Sequence, residues 1–378
     1  MNLEFSQGQE AFYASCRAFV DEHITPNANE WDVREETPNE IIRKLAEQGY
    51  LGAAVPKEWG GLGLDAMSLG LLHEEIGRGC SSIRSLLTVH GMVCVAITRF
   101  GTKEQKETWL PRLASGELVG AFGLTEPFAG SDAKSIRTTA ELRGDQYVLN
   151  GNKKWITYGQ LADLFLIFAQ HEGKPTAFLV ERHTPGFATY PVSGMLGTRA
   201  SMIAELTMID CAIPQANLLG LPGFGITYVA TTCLDYGRFT IAWGCVGIGQ
   251  ACIEESVRYT ASREQFGVPL RKHQLIQKMI TEMVTQVKAA RLLCERATRL
   301  KGQGDPRSLA EMWTAKYFAS TMLPKLTSDA VQMHGAIGCS QASTAQRHYR
   351  DCKVMEIIEG STQMHEMIIA DHAYQEFL

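Results

Sequence analysis

Thr138-Thr139-Ala140-Glu141-Leu142 and Gln146-Tyr147-Val148-Leu149-Asn150, on either side of Arg143-Gly144-Asp145, decide the fold class. Polar and apolar residues run with a period near two, and the triad between them carries glycine, so the stretch predicts a β-hairpin. Asn150-Gly151 reads as a second turn leading into a strand at 153–158. Further short strands are expected at 164–169, 176–181, 187–192 and 204–209. That spacing suggests a small barrel or sandwich. Outward in both directions the period becomes helical. Toward the N-terminus, helices are expected at 3–23 (stopped by Pro26), 39–48, 65–78, 81–99 and 103–113. Toward the C-terminus, from about Phe224, Ile241, Cys245, Ile248 and Cys252 mark one helix. Ile276, Ile280, Met283, Val287, Ala290, Cys294 and Ala297 mark a longer one that packs on other helices. Helices, then strands, then helices, without βαβ alternation, excludes a doubly wound sheet. The chain reads as mostly α with a β domain, divided at 1–118, 119–222 and 223–378.

The 378 residues are 45% hydrophobic and 20% charged, which supplies several packed cores and excludes disorder. A formal net charge of −5 argues against a nucleic-acid binder, which needs a basic surplus. Mean hydropathy is −0.09, and no uncharged apolar run of about 18 residues predicts a membrane span. The start, Met1-Asn2-Leu3-Glu4-Phe5, lacks a signal-peptide pattern. None of the ten cysteines forms a Cys-x-x-Cys pair, so buried free thiols in a cytoplasmic protein, without a metal set, are expected.

Several motifs fail on their own mechanics. Gly247-Ile248-Gly249 lacks the third glycine of a dinucleotide loop and lies in a helical pattern. His365 and His372 are seven apart, about 10 Å along a helix, too far for one ion. Ser131-Asp132 is not in a nucleophile elbow. Other stretches carry more. Phe122-Gly-Leu124-Thr125-Glu-Pro-Phe-Ala-Gly130-Ser131-Asp132 offers hydroxyls and amides suited to a flat polar heterocycle with a phosphate tail. Trp155-Ile-Thr157 can cover a ring face and bond its edge. Arg263-Glu-Gln-Phe266-Gly, His273-Gln274 and Gln332-Met-His-Gly335 lie at helix ends. Tyr349-Arg-Asp-Cys-Lys-Val-Met-Glu-Ile-Ile-Glu359-Gly-Ser361-Thr-Gln363 closes the set.

In this order and spacing the stretches resemble the acyl-CoA dehydrogenase family over nearly the whole chain. The resemblance implies an N-terminal helical domain, a middle β-barrel and a C-terminal four-helix bundle, with FAD as cofactor and a homodimeric or homotetrameric assembly. It further implies that Phe122, Leu124, Thr125 and Ser131 contact the flavin ring and pyrophosphate, and that Trp155 and Thr157 lie on its other side. Arg263, Phe266 and Gln274 would reach the FAD of a neighbouring subunit. Gln332 and Gly335 would take the adenosine side, where Ala336 replaces a frequent second glycine. Ser361 and Gln363 would contact FAD after the catalytic turn, and Glu359 would be the base. The family removes an α-proton from a thioester while a hydride leaves the β-carbon for the flavin, which calls for a carboxylate of raised pKa in a dry pocket. A minority of the family carries its base on an earlier helix, at the position of Gly237 here, which cannot act.

Within the family, Cys80-Ser-Ser-Ile-Arg84-Ser85-Leu-Leu-Thr88, Leu234-Asp-Tyr-Gly-Arg238 and Met355-Glu-Ile-Ile-Glu359-Gly-Ser resemble one branch: the dehydrogenases of hydroxymalonyl- and methoxymalonyl-acyl-carrier-protein extender-unit biosynthesis. That branch implies oxidation of a 2-hydroxy-3-oxopropionyl thioester to a carboxylate, in polyketide or nonribosomal secondary metabolism, with Arg84, Ser85, Thr88 and Arg238 toward the substrate. On physical grounds Arg84 either meets a substrate anion or pairs with Glu74 or Glu75 of the neighbouring helix. The alternatives are a short-chain acyl-CoA dehydrogenase, a prolyl-carrier-protein oxidase and, from another class, a non-catalytic flavin-fold partner. CoA or a carrier protein would present the substrate, and the electron acceptor is left open.

Overall fold

In a computed structural model describing residues 5–378, helices flank a β region as the periodicity demands. The N-terminal helices are α1 (Gln7–Phe19), α2 (Ala28–Arg34), α3 (Asn39–Glu47), α4 (Ala66–Gly79), α5 (Ser81–Phe100) and α6 (Lys103–Ala114). Ser6 with Gln9, and Thr102 with Gln105, form capping boxes that start α1 and α6. Helix α2 was not expected, because Pro26 reads as a stop. Here Pro26 lies just ahead of α2, and α1 continues through a π turn at Val20–Ile24.

The strands are β1 (Gly120–Gly123), β2 (Thr139–Arg143), β3 (Gln146–Ile156), β4 (Leu164–His171), β5 (Lys174–Glu181), β6 (Phe187–Pro191), β7 (Ala204–Pro214) and β8 (Leu218–Leu219). They form one sheet of order β6-β7-β3-β2-β4-β5-β8, with β1 parallel to β4. The 138–150 hairpin is as expected, with β2 antiparallel to β3 and Arg143 opposite Gln146. The turn expected at Asn150-Gly151 is instead a bulge inside β3: the register against β7 shifts between Leu149 and Gly151, and Gly151 has φ 149°. The strand therefore runs on to Ile156 and delivers Trp155 at its end.

The C-terminal helices are α7 (Thr231–Ser262), α8 (Gln274–Gly302), α9 (Ser308–His334), α10 (Ala345–Met355) and α11 (Thr362–Phe377). A short hairpin, β9 (Glu264–Gln265) with β10 (Val268–Pro269), joins α7 to α8. The seam of α8 buries Met283, Val287, Ala290, Cys294 and Ala297. Helix α7 packs on α4, α5, α8 and α9, so it is the spine that joins both helical regions. Helix α5 has the length and mean hydropathy, 1.3, of a membrane span, but it is a core helix whose residues Ser81 to Cys94 are all buried.

Candidate active site

The turn after α10 carries Glu359 in the left-handed region at φ 56°, followed by Gly360 at φ 92°. The flanking isoleucines do not bury it: Ile357 is exposed and Ile358 half-buried. The bend instead sends the carboxyl over α7. A Cβ on Gly237 would stand 2.1 Å from Glu359 Oε2, so only glycine leaves room for the carboxyl there. Oε2 is buried and has no hydrogen-bond partner. Desolvation pushes the Glu359 pKa up to about 7, against the pull of Arg238, Lys316 and Arg84. Asp235 and Glu356 are the nearby alternatives for a base. Both are already engaged, Asp235 with Arg238 at 2.7 Å and Glu356 with Lys353 at 2.8 Å.

Seven residues further along α7, two turns on and so on the same face, Gly244 opens a second gap. A Cβ there would lie 2.3 Å from Arg84 Cδ. Arg84 is fully buried, yet no carboxylate lies within ion-pair distance of it among the described residues. The expected alternative partners are taken. Glu74 binds Arg291; Glu75 binds Arg78 at 2.7 Å and Arg17 at 3.5 Å. Arg84 Nη1 donates to Thr88 Oγ1 at 2.8 Å, Nη2 reaches Met355 Sδ at 3.7 Å, and Nε has no partner. Burial pulls its pKa below the ordinary value, with Cys245 and Glu359 opposing. Thr88 and Thr240 share a hydrogen bond of 2.8 Å, and Thr240 Oγ1 donates to Gly237 O at 2.8 Å. A continuous polar chain thus links Arg84 to the point where α7 yields to Glu359. Ser85 contributes differently: it donates to Ser82 O and bonds Ser201 at 2.8 Å, which ties α5 to the β region.

The second cluster surrounds the 122–132 loop. Lys153 and Glu126 form a buried pair at 2.7 Å. Glu126 also accepts from Arg137 N at 2.6 Å, Thr138 N at 3.0 Å and Thr138 Oγ1 at 2.6 Å, while Lys153 donates to Leu124 O at 3.2 Å. Burial pulls the Lys153 pKa down to about 8 against the attraction of Glu126. Lys154 N donates to Thr125 O at 2.9 Å. These bonds fix the loop to β3 and set Thr125 beside Trp155-Ile-Thr157. Trp155 is 48% exposed and has φ 62°, and Tyr158 has φ 56°. A large exposed aromatic held in a strained backbone marks a surface shaped for a ligand. Tyr158 locks that strain by donating to Ser82 O at 3.0 Å and bonding Thr37 at 2.9 Å, which ties the segment to α5 close to Arg84. The hydroxyls of Thr125, Ser131 and Thr157 make no side-chain hydrogen bond among the described residues, and nothing within 4 Å would obstruct a Cβ on Gly130. This donor set, an exposed indole with uncommitted hydroxyls beside an open glycine, fits a flavin ring with its phosphate chain. Phe122 packs edge-on against Phe168 (centroids 5.2 Å), and Leu124 is buried, so these two support the cluster from beneath.

The three family models for acyl-CoA dehydrogenase match residues 6–117 (N-terminal domain), 121–211 (middle domain) and 223–374 (C-terminal domain). The chain belongs to the acyl-CoA dehydrogenase family. It is therefore a FAD-dependent oxidoreductase of the acyl-CoA dehydrogenase fold. It is 39% identical to the acryloyl-CoA reductase (NADH) of Anaerotignum propionicum, over 98% of this chain and 95% of that one. A glutaryl-CoA dehydrogenase from Mycobacterium smegmatis, solved in complex with FADH2, superposes with a TM-score of 0.93 at 32% identity, covering 98% of this chain and 95% of that one. FkbI, solved for biosynthesis of the methoxymalonyl extender unit of the Fk520 polyketide immunosuppressant, superposes with a TM-score of 0.88 at 34% identity, covering 96% and 99%.

Of the remaining residues of the expected site, five lie exposed at helix ends and turns, and the others adjoin the Glu359 turn. Arg263 ends α7, Phe266 sits 94% exposed at φ 55° in the β9–β10 turn, and Gln274 opens α8 on the surface. Gln332 and Gly335 are exposed at the end of α9, where His334 stacks on Tyr259 of α7 with centroids 4.4 Å apart. Ser361 caps α11 by accepting from Met364 N at 3.4 Å, and Gln363 is exposed. Arg238 holds the turn through its backbone, Nε donating to the Glu359 backbone oxygen at 3.2 Å and Nη1 pairing with Asp235, while its charge still favours the ionised Glu359 carboxyl. Sequence reasoning missed Glu126 and Lys153, Thr240, Gly244 and Lys316. None carried a clear signal: Lys153 is followed by Lys154, and alternation along a bulged strand does not say which of the two points inward.

Proposed function

We propose that the protein oxidises a short, oxygenated acyl thioester on an acyl carrier protein, taking 2-hydroxy-3-oxopropionyl to hydroxymalonyl in extender-unit biosynthesis. The observation that carries this reading is Arg84: a fully buried cation with no carboxylate partner among the described residues, an unpartnered Nε and a glycine facing it. Leaving a guanidinium unpaired in a core costs several kcal/mol, a cost that an anionic substrate group would offset. A saturated fatty acyl chain offers nothing to it. The similarity to FkbI supports the same branch.

In this reading the hydrate of the C3 aldehyde is the reacting form. Glu359, ionised above about pH 7, takes a proton from a hydrate hydroxyl, and the C3–H leaves as hydride, so the carbon gains one C=O bond. FAD, when bound, supplies the two-electron acceptor. Arg84 stabilises the oxygen that becomes carboxylate, Thr88 orients Arg84, and Ser85 holds α5 in place. Thr125, Ser131, Trp155, Thr157, Ser361 and Gln363 hold FAD, and Phe122 and Leu124 back the ring site from beneath. Arg263, Phe266, Gln274, Gln332 and Gly335 contribute across a homo-oligomer interface, which accounts for a phenylalanine left 94% exposed in a single chain.

The 39% identity to an acryloyl-CoA reductase favours a second reading, a CoA-linked short-chain enzyme working on an α,β-bond. There Glu359 takes an α-proton instead. Both readings need Glu359. Glu359→Gln should keep FAD and fold while slowing flavin reduction by about 10²-fold or more, the scale of a general base. Reduction at the wild-type rate would overturn both.

A further inference from the structure

Three consecutive carbonyls of the turn that carries Glu359 each meet a side-chain nitrogen, the first two from other helices and the third from the helix that Ser361 itself caps. Arg238 Nε of α7 donates to Glu359 O at 3.2 Å. Lys316 Nζ of α9 donates to Gly360 O at 2.8 Å. His365 Nδ1 of α11 bonds Ser361 O at 3.0 Å. Ser361 O also accepts the His365 backbone N–H at 3.2 Å, so without Arg238 and Lys316 the turn would present two bare carbonyls just past the end of α10, at two residues of positive φ. Arg238 is neutralised by Asp235. Lys316 differs: it is fully buried, and no carboxylate lies within ion-pair distance of it among the described residues.

We infer that Lys316 is a positioning residue for the base: it pins the Gly360 carbonyl so that the Glu359 carboxyl stays folded over Gly237, and its unpaired charge favours the ionised carboxylate. This rests on Glu359 being the base, as proposed above. The groups facing the Glu359 carboxyl are Arg238 from α7, Lys316 from α9 and Arg84 from α5. Those facing Lys316 are Cys245 and Arg238 of α7, Glu359 and Glu356 of the turn, and His365 of α11. Burial draws the Lys316 pKa down to about 8, so Lys316 is mostly cationic near pH 7, where Glu359 is half ionised, and loses its charge as the pH passes 8.

Two variants separate its two actions. Lys316→Gln keeps a donor for Gly360 O and removes the charge; Lys316→Met removes both. The first readout needs no substrate: an infrared pH titration of the FAD-loaded protein, following the carboxyl band that disappears in Glu359→Gln. In both variants that band should titrate about one pH unit higher than in wild type, because a cation that stabilised the carboxylate has gone. The second readout is flavin reduction by butyryl-CoA and by 2-hydroxy-3-oxopropionyl-carrier protein, using whichever reduces the wild type faster. Lys316→Met should lower kcat about 10-fold with KM changed less than 2-fold, and Lys316→Gln should recover most of kcat above the shifted pKa. A lowered melting temperature with the band and kcat unmoved in both variants would make Lys316 merely structural and overturn the inference. Full turnover in Glu359→Gln would instead overturn the reading beneath it.

Discussion

Replacing Arg84 by leucine separates a substrate-binding cation from a structural one. If Arg84 served the fold, its loss would break an ion pair, and removing one partner of a buried pair costs about 3–5 kcal/mol. Among the described residues Arg84 has no such pair to lose: its side-chain bonds are one to Thr88 Oγ1 and a long contact to Met355 Sδ. The lost hydrogen bond costs about 1 kcal/mol, while removal of an unpaired buried charge relieves several. The melting temperature of Arg84→Leu without substrate should therefore equal or exceed that of wild type. Catalysis should move the other way. A charged donor aimed at an oxygen that becomes anionic contributes about 10²–10³ in rate, so oxidation of the 2-hydroxy-3-oxopropionyl thioester should fall by about 10²-fold. Butyryl-CoA, with no C3 oxygen, should be oxidised as well or better. Because Arg84 also lowers the Glu359 pKa, both substrates are compared at a pH above 8, where the carboxylate is ionised in both proteins. A lowered melting temperature with unchanged substrate preference would refute the assignment.

Gly237→Ala should preserve FAD binding but cut turnover by about 10²-fold, since the new Cβ would meet Glu359 Oε2 at 2.1 Å and displace the carboxyl; a fully active variant would remove Glu359 from its place over α7. Lys153→Met should destabilise the protein by about 3–5 kcal/mol and speed FAD loss on dilution, because it leaves Glu126 of the 122–132 loop buried without its cation; unchanged denaturant midpoint and FAD retention would contradict this. Arg263→Ala should weaken both FAD retention and oligomer mass by light scattering, and a change in neither would place Arg263 outside a subunit interface. Glu359→Gln should also change stability with pH. A carboxyl raised from 4.5 to about 7 holds its proton in the folded state, so it costs nothing below pH 4.5 and its cost grows until pH passes 7. The cost reaches roughly 3 kcal/mol. The variant should match wild type at pH 4 and exceed it at pH 8, and a constant difference across that range would show that the carboxyl is not desolvated.

The period of the helices was legible because a buried stripe needs the same spacing wherever it occurs. The α8 seam and the core helix α5 follow from it directly. The residues that cluster around the 122–132 loop were also legible as candidates, since Trp155, Thr125 and Ser131 are types whose chemistry a core does not require. What failed was non-local. Asn150-Gly151 looks the same as a turn or as a bulge until β7 supplies the shifted register. Glu74 and Glu75 looked available to Arg84 because Arg291 and Arg17 reach them from two other helices, the Arg78–Glu75 pair alone being local to α4. The Glu126–Lys153 pair spans 27 positions, and a helix glycine such as Gly244 gives no sign of the side chain it admits.

The most direct test mixes the FAD-loaded protein, without oxygen, with 2-hydroxy-3-oxopropionyl-carrier protein in one syringe and butyryl-CoA in another, following flavin absorbance and the mass of the thioester product. The carrier-bound substrate should bleach the flavin and yield a product one oxygen heavier, at a rate well above that for butyryl-CoA. Rapid bleaching by butyryl-CoA, with the flavin left oxidised by the carrier-bound aldehyde, would contradict the assignment.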